Sequence, residues 1–290
     1  MNERIPFYKM SGSGNDFVFI DNRNGRVPPE GRPELARAIC IRRLGVGADG
    51  LVLIEAPANG ADFRWDFYNS DGSAPEMCGN AARCATRFAR LHGIGGDRLC
   101  FETAAGLIHA ELEGERARVR LTDPGPLTRN QRLSILPDEG AEKESGDAGP
   151  LLLSADHIDT GVPHAVIRVP DIDAVDIRKM GAAVRFHEVF APAGANVNFI
   201  SPAPGGRFFC RTYERGVEDE TLACGTGCAA AALILAAAGE TDSPVDIIPR
   251  SGGVLRIHFT RADAGFTDIW LEGDARIVYT GEMTMESWNW

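Results

Sequence analysis

The strongest constraint on the fold is that the first half of the chain recurs, in outline, in the second half. Four sequence motifs are repeated in the same order, 145 to 147 residues apart. The paired motifs contain Gly14 and Gly161, Gly47 and Gly194, Tyr68 and Tyr213, and Cys78 and Cys224. One such match can arise by chance, but four in a constant order and spacing indicate duplication. The pattern therefore predicts two copies of one structural unit.

Each copy is expected to contain both strands and helices. Alternating apolar and polar residues predict strands over residues 63–68, 99–103, 117–121 and 254–259. Longer stretches with helical periodicity or first-turn signals predict helices over residues 33–44, 81–91, 172–187 and 228–238. This mixture predicts an α/β (α+β) fold.

We predict that the two copies form two pseudo-symmetric lobes. Residues 1–126 with 279–290 are assigned to the N-terminal lobe, which carries Cys78, and residues 127–278 to the C-terminal lobe, which carries Cys224. Two similar lobes packed face to face would bring equivalent residues to the cleft between them, a common position for a small-molecule site. Cys78 is therefore expected to lie opposite Cys224.

One segment is expected to lie outside both packed units. Residues 137–150 are acidic, rich in glycine and nearly free of large apolar side chains. This composition is typical of an exposed loop.

Charge and hydropathy argue against two classes of partner. The formal net charge is −11 and no basic stripe accumulates, so nucleic-acid binding through phosphate contacts is not expected. The first residues show no basic segment followed by an apolar core, so no signal peptide is expected. The longest apolar run, Ala229 to Ala238, is about half of the ~20 residues that a membrane span needs, and predicts a buried helix instead of membrane insertion.

The cysteine pattern indicates a reducing cytoplasm without a metal site. The chain has seven cysteines, an odd number, and lacks the small disulfide-rich composition of secreted domains. No pair has the C-x-x-C spacing of zinc ribbons, and nearby histidines do not complete a ligand set. Neither a P-loop nor a G-x-G-x-x-G motif after a strand is present, so no cofactor is expected.

Two of the cysteines occupy a chemically special position. Cys78 and Cys224 are each followed by glycine directly before a predicted helix, with Asn80 and Thr226 as favourable helix-start residues. The positive end of the helix dipole and the free N–H groups at such a position are expected to lower a thiol pKa and to bind a carboxylate. The other five are interpreted as small buried hydrophobic residues: Cys40, Cys84, Cys100, Cys210 and Cys228.

A pair of such thiols is suited to the inversion of a carbon centre. Inversion by proton exchange needs a base on one face of the carbon and an acid on the other. A thiolate and a thiol on opposite sides meet this requirement, and exchanging their roles runs the reaction backward. N–H groups at the two helix starts would stabilise the negative charge that develops when the proton leaves.

The motifs around these residues resemble the diaminopimelate epimerase family. The resemblance spans the chain and rests on FYKMSGSGNDFVFIDN, GVGADGLV, YNSDGSAPEMCGNAARC, TGVPHAVI, GANVNFI, YERGVEDETLACGTGCAA and LEGDARIVYTGE. It implies reversible conversion of LL- to meso-2,6-diaminopimelate in the cytoplasm, within lysine and cell-wall precursor biosynthesis. It also implies a homodimer, no metal or organic cofactor, and lobes that each curl a mostly antiparallel sheet around a central helix.

The resemblance also assigns roles to individual residues. Cys78 and Cys224 would be the acid/base thiols, and His164 and Glu214 would tune their protonation. The remaining residues would bind the small amino-acid substrate, the glycine-containing pairs through backbone N–H groups: Asn15, Asn69, Gly79, Asn80, Asn196, Glu214, Arg215, Gly225 and Thr226. Asp16 and Arg83 are interpreted as structural.

Two departures from the family pattern keep a second interpretation open. Val162 stands where many members have asparagine, and Gly50 where some have glutamine. The distal end of the substrate is therefore expected to be held differently, and a cofactor-free racemase of another amino acid is the alternative. A thiol–disulfide redox protein is a third reading, although its usual C-x-x-C signature is missing.

Overall fold

The structure is a computed structural model that describes residues 4–135, 150–263 and 265–288. The loop predicted over residues 137–150 lies, except for Pro150, outside the described residues. The chain divides into two compact units, the first formed by residues 1–120 with 270–290 and the second by residues 121–269. Each unit mixes strands and helices, which confirms the predicted fold class.

The elements follow one another in chain order as β1 (Ile5–Gly12), β2 (Asn15–Asp21), α1 (Arg32–Cys40), β3 (Gly50–Glu55), β4 (Phe63–Asn69), α2 (Gly79–Leu91), β5 (Arg98–Thr103), β6 (Gly106–Glu113), β7 (Arg116–Arg120), β8 (Thr128–Ile135), β9 (Leu151–Asp159), β10 (Pro163–Arg168), α3 (Ile177–Arg185), β11 (Asn196–Ala203), β12 (Arg207–Glu214), β13 (Asp219–Thr221), α4 (Gly225–Ala237), β14 (Val245–Pro249), β15 (Leu255–Ala262), β16 (Gly265–Asp274) and β17 (Arg276–Met283). Short 3-10 turns lie at Glu188–Phe190 and Met285–Ser287.

In the first unit, a mostly antiparallel sheet surrounds α2. β1 pairs with both β17 and β2, and β3 pairs with β4. β6 pairs with both β5 and β7, and β7 also pairs with residues 270–274 of β16. All of these pairs are antiparallel. β2–β3 and β4–β5 are parallel. α2 contacts β1, β2, β3, β6 and β7.

The central strands of this sheet are covered on both faces. Val18 and Leu51 pack in a cluster with Ala36 and Ile39 of α1. Phe19, which points to the other face, stacks on Phe88 of α2 at 5.5 Å. Burial on both faces explains why β2 and β3 read as continuous apolar runs in the sequence.

The second unit repeats this arrangement. β10 is parallel to β11, β11 is antiparallel to β12, and β12 is parallel to β14, as in the corresponding strands of the first unit. Four antiparallel pairs extend this arrangement. β9 pairs with both β8 and β10, β13 pairs with β12, and β15 pairs with β14. α3 packs on one face, in a cluster that includes Ile177, Val197 and Phe199. α4 contacts β9, β10, β11, β12, β14 and β15.

The apolar run after Cys224 forms the buried helix α4, as predicted. Ten of its 13 residues are buried, because strands surround it on all sides and every face must be apolar. Within the described ranges, no helix is long and apolar enough to cross a membrane.

The predicted bounds of α1 and α3 are wrong. The helix expected over 33–44 ends at Cys40, and the next residue, Ile41, is extended with φ −65° and ψ 121°. The helix expected over 172–187 begins only at Ile177, because the Asp176 side chain caps it by accepting a hydrogen bond from the N–H of Lys179 at 3.1 Å. The acidic residue at 176, rather than the one at 173, is the start signal.

The boundaries of the units differ from those expected from the repeat, at 126 and 278. Residues 270–274 pair with β7, and β17 pairs with β1 along most of its length, so both segments belong to the first unit. These pairings join distant parts of the chain, and local sequence patterns do not reveal them.

Candidate active site

Cys78 is the N-cap residue of α2. Its backbone is extended, with φ −143° and ψ 115°, and its carbonyl accepts the first helical hydrogen bond, from the N–H of Ala82 at 2.9 Å. The prediction that the helix begins at 81, with Asn80 as its start residue, is therefore wrong by two residues. The half-buried thiol stands directly at the helix start, where the N–H groups of the first turn have no helical acceptor.

A chain of polar side chains holds this first turn. Arg83 donates to Asn80 Oδ1 at 3.0 Å, and Asn80 Nδ2 donates to Asn15 Oδ1 at 2.7 Å. Asn15 Nδ2 in turn donates to Asp49 Oδ2 at 3.0 Å. Since a guanidinium only donates and a carboxylate only accepts, the two ends of this chain determine the orientation of both amides.

Arg83, which is interpreted as a structural residue, is fully buried. It donates to Ser13 Oγ at 2.7 Å and to the carbonyl oxygens of Gly79 and Asp274, each at 3.3 Å. Its guanidinium therefore ties the first turn of α2 to the β1–β2 turn and to the end of β16. Periodicity alone could not identify this buried charge.

A second ionic cluster supports the Asn15 side of the network. Asp16 accepts two hydrogen bonds from Arg42, at 2.7 and 3.0 Å, and pairs with the buried Lys9 at 2.7 Å. Burial acts to raise the pKa of Asp16, but Arg42 and Lys9 outweigh it and the pKa is lowered. Asp49, which accepts from the Asp16 N–H at 3.1 Å, joins this cluster to Asn15.

Asn69 lies at the end of β4, where the chain turns toward Cys78. Its Nδ2 donates to Ser73 Oγ at 3.0 Å, and its N–H donates to the Ser73 carbonyl at 2.8 Å. A turn at Asp71-Gly72 lies between them, with Gly72 at φ 81°. A Cβ at Gly72 would lie 2.7 Å from the Pro33 carbonyl, so the turn requires glycine.

Cys224 occupies the equivalent position in the second unit, as the N-cap residue of α4. Its φ of −111° and ψ of 109° are extended, and its carbonyl accepts from the N–H of Cys228 at 3.0 Å. The helix begins at Gly225, so the prediction of a start near 228 is also wrong. Cys224 Sγ lies 3.5 Å from Thr226 Oγ1.

Burial dominates the protonation of Cys224, which is only 7% exposed. Burial raises its pKa above the ordinary thiol range, and the Glu214 carboxylate raises it further. The Thr226 hydroxyl and the Gly227 N–H act in the lowering direction but do not overcome desolvation. The expected lowering of the pKa by the helix start is therefore wrong for this thiol. Burial also raises the pKa of Glu214 itself.

His164 and Asn198 form a fully buried polar pair beside α4. Asn198 Nδ2 lies 3.1 Å from His164 Nδ1 and donates to the Ala165 carbonyl at 3.1 Å, while Asn198 Oδ1 accepts from the Thr212 hydroxyl at 2.9 Å. Burial lowers the pKa of His164 to about 3, and neighbouring His157 and Arg215 act in the same direction. Sequence analysis did not single out Asn198 or Thr212.

Asn196 links Arg215 to the start of β10. Its Oδ1 accepts from the Arg215 N–H at 2.7 Å, and its Nδ2 donates to the Pro163 carbonyl at 3.4 Å. The Thr226 carbonyl accepts from the Thr160 hydroxyl at 3.0 Å, which ties the loop before β10 to the first turn of α4. The predicted residues 164, 196, 214, 215 and 224–226 all belong to the second unit.

The two residues that depart from the family pattern, Gly50 and Val162, differ in their structural surroundings. A Cβ on Gly50 would lie 2.7 Å from both the Phe67 ring and the Tyr68 carbonyl, so this position has no room for a glutamine side chain. Val162 is half-buried in the loop before β10, and its carbonyl accepts from the Thr160 N–H at 3.1 Å. Val162 supplies no side-chain amide for a substrate.

The other cysteines have the burial expected of small hydrophobic residues, except that Cys100 is half-buried. Burial raises the pKa of Cys40 to about 12 and that of Cys84 to about 12. Over the part of the chain that the structure describes, no group of three or more His, Cys, Asp and Glu side chains is arranged to hold a metal ion.

Comparison with known proteins agrees with these motifs over nearly the whole chain. The family described as diaminopimelate epimerase matches residues 7–127 and 157–282. The diaminopimelate epimerase of Aquifex aeolicus is 42% identical, covering 97% of this chain and 99% of that protein. The diaminopimelate epimerase of Archaeoglobus fulgidus is 40% identical, covering 96% of both chains.

Solved structures extend the likeness of the fold. A PhzF-family phenazine biosynthesis protein of Bacillus anthracis superposes with a TM-score of 0.73, at 15% identity over 97% of this chain and 99% of that one. A hydroxyproline epimerase of Agrobacterium vitis superposes with a TM-score of 0.65, at 15% identity over 99% and 94%. The fold is thus shared with more distant proteins, while the full-length sequence matches show that the chain belongs to the diaminopimelate epimerase family.

Proposed function

We propose that the protein interconverts LL- and meso-2,6-diaminopimelate, with Cys78 and Cys224 as acid and base on opposite faces of one α-carbon. The observation that carries this proposal is that both units place a thiol at the N-cap of their central helix. Membership of the diaminopimelate epimerase family supplies the substrate class.

The reaction is a balanced exchange of one proton. A thiolate removes the α-proton and becomes a thiol, while the thiol on the other face gives its proton to the carbon and becomes a thiolate. The enzyme ends with its proton on the other sulfur, so the next turnover in the same direction needs the two sulfurs to exchange protonation states. The product configuration follows from protonation on the face opposite to proton removal.

The helix starts are suited to hold the reacting carboxylate. The backbone N–H groups of Gly79-Asn80 and Gly225-Thr226 lie in the first turns of α2 and α4, where helical acceptors are missing. They would bind the carboxylate and stabilise the charge that develops on it when the α-proton leaves. Removal of an α-proton in this way uses no pyridoxal cofactor and no metal.

The protonation of Cys224 fits an acid in the resting enzyme. Burial and Glu214 raise its pKa, so it carries a proton at neutral pH and can donate it in one direction of the reaction. Cys78 is then the base for that direction. Glu214 and His164 tune this balance.

The distal amino acid of the substrate would be held by polar side chains around the two thiols. Asn15, Asn69, Asn196 and Arg215 are proposed to bind it, with Glu214 as a further acceptor. Because position 50 has no room for glutamine and residue 162 is valine, this recognition would use fewer side-chain amides than in members that have both.

We also propose a cytoplasmic location and a homodimer. Two catalytic thiols persist in a reducing compartment, and the homodimer rests on the resemblance to the family.

Incubation with LL-diaminopimelate in deuterium oxide tests the proposal. We expect deuterium at the α-carbon of the meso product, because the donated proton comes from a thiol that exchanges with solvent. Absence of both inversion and exchange would contradict the function.

The second candidate, a racemase of another amino acid, is favoured by the missing amides at 50 and 162. A panel of amino acids with one or two amino-acid centres separates the two functions. Turnover that requires the second centre supports diaminopimelate, whereas equal turnover without it supports the alternative.

A further inference from the structure

The buried pair formed by His164 and Asn198 has a defined pattern of hydrogens. Asn198 Nδ2 is 3.1 Å from the Ala165 carbonyl oxygen, which can only accept a hydrogen bond. This contact identifies the nitrogen of the amide, and the Thr212 hydroxyl at 2.9 Å then donates to Oδ1. The amide cannot be reversed without setting two acceptor oxygens against each other.

The orientation of this amide determines the tautomer of the histidine. The second hydrogen on Asn198 Nδ2 is directed to His164 Nδ1 at 3.1 Å, so Nδ1 must accept. The neutral ring then carries its proton on Nε2. Among the described residues, Nε2 is fully buried and has no hydrogen-bond partner.

Asn198 also contacts the helix start that carries Cys224. A Cβ on Gly227 would overlap Asn198 Oδ1 and would lie 3.3 Å from Cys224 Sγ. The amide therefore occupies the space left by the missing side chain of Gly227, in the first turn of α4. One side chain thus contacts both the histidine ring and the turn that bears the thiol.

We propose that Asn198 is a positioning residue that fixes His164 in the Nε2–H tautomer and holds the first turn of α4 in place by packing against Gly227. The consequence for activity rests on the proposed function, whereas the tautomer does not. The neutral ring is stable in this form because burial holds the pKa of His164 near 3, and the neighbouring His157 and Arg215 also disfavour a second ring proton. His164 thus presents a buried N–H donor at neutral pH.

The tautomer can be read directly by nuclear magnetic resonance. With ¹⁵N-labelled histidine, His164 is assigned by the loss of its signals in His164→Gln. We expect a protonated Nε2 and an unprotonated Nδ1 that stay unchanged from pH 8 to pH 5. A wild-type spectrum with the proton on Nδ1 of the neutral ring would overturn the proposal.

Variants then separate positioning from simple packing. In Asn198→Asp a carboxylate accepts but cannot donate, so the ring proton should move to Nδ1. In Asn198→Ala neither tautomer is favoured and the signals should become mixed. Thr212→Val is the matched control, because it removes the hydroxyl that contacts Asn198 Oδ1 and, at 3.9 Å, Cys210 Sγ, but leaves Asn198 Nδ2 in place and should leave the tautomer unchanged. Retention of the Nε2–H form in both Asn198 variants would refute the role of Asn198.

Activity supplies the second readout. We expect kcat of Asn198→Asp to fall on the order of 10- to 100-fold, the size of effect seen when a partner that orients a functional histidine is lost, with KM changed less than kcat. If the tautomer of His164 changes in Asn198→Asp but kcat does not, the effect of Asn198 on catalysis is contradicted, while its control of the tautomer is supported. Failure of the wild-type enzyme on diaminopimelate would instead contradict the proposed function alone.

Discussion

Cys78 and Cys224 share one backbone position in the two units, but their surroundings differ. The first turn that follows Cys78 is held by charged groups, with buried Arg83 bonded to Asn80, and with Asp49 at the far end of the same network. The first turn that follows Cys224 is held by an uncharged amide, Asn198, against Gly227. Duplication kept the helix start and the thiol, while the residues that support them diverged.

This difference matters because the two sulfurs cannot do the same thing at the same time. In the proposed reaction one must hold a proton while the other lacks it. Identical surroundings would give two thiols of equal proton affinity. Cys224 is buried next to the Glu214 carboxylate, which raises its pKa, whereas Cys78 is half-buried and precedes a turn held by a guanidinium.

The largest effect is expected from replacing either sulfur. Cys78→Ser and Cys224→Ser should each lower the rate of epimerisation by about 10² to 10⁴, the usual contribution of a general acid or base, because a hydroxyl is a far weaker acid than a thiol. Rates in both directions and circular dichroism of the fold check this. A variant that folds and retains more than a tenth of the activity would contradict the two-base mechanism.

The same two variants can sharpen the comparison. Consider a substrate analogue that carries a halogen on the carbon next to the α-carbon. Elimination of this halogen after removal of the α-proton needs only one base. We expect one isomer of the analogue to be processed by Cys78→Ser and the other by Cys224→Ser, because each remaining thiol faces one side of the carbon. If a single variant processes both isomers, the two thiols do not act on separate faces of the carbon.

A smaller but still large effect is expected from Arg83→Met. Loss of the guanidinium leaves Asn80 Oδ1 and Ser13 Oγ without this donor, and each unsatisfied buried group costs about 1–3 kcal/mol. Activity should fall because Asn80 Oδ1 loses its donor and Asp49 alone then orients Asn15 and Asn80. Arg90→Met is the control, since Arg90 on the same helix forms an exposed ion pair with Asp97 at 3.1 Å, which contributes little to stability. Equal melting temperatures and rates for the two variants would show that Arg83 supports nothing at the site.

The next prediction compares residues at equivalent positions of the two helices, Gly227 and Ala81. Gly227→Ala should lower the free energy of unfolding by about 1–3 kcal/mol, because the added methyl overlaps Asn198 Oδ1 in a packed interior. Ala81→Gly should cost only about 1 kcal/mol of helix propensity. Urea unfolding of both variants measures the difference, and equal losses would mean that Asn198 moves aside freely.

The repeat in the sequence was enough to predict the fold class, the duplicated units and the position of both thiols before their helices. It could not locate the pairing of residues 270–274 with β7, because partners so distant in the chain leave no local pattern. The helical periodicity also could not show that Arg83 is buried, since a buried charge with many acceptors has the same periodicity as an exposed one. The lowered pKa expected from the helix start failed at Cys224, because the depth of burial depends on the strands that surround α4.

The smallest effect, and the most specific test of the asymmetry, concerns Glu214. Its carboxylate raises the pKa of Cys224, so Glu214→Gln should lower that pKa. In the direction in which Cys224 donates a proton, activity is lost when pH rises through this pKa, and the variant should lose activity at lower pH than the wild type. In the direction in which Cys224 is the base, activity should instead appear at lower pH. Glu240→Gln, which removes only an exposed pair with Arg168, should leave both profiles in place. A shift of the two profiles in opposite directions, or none at all, would mean that Glu214 does not set the proton affinity of this sulfur.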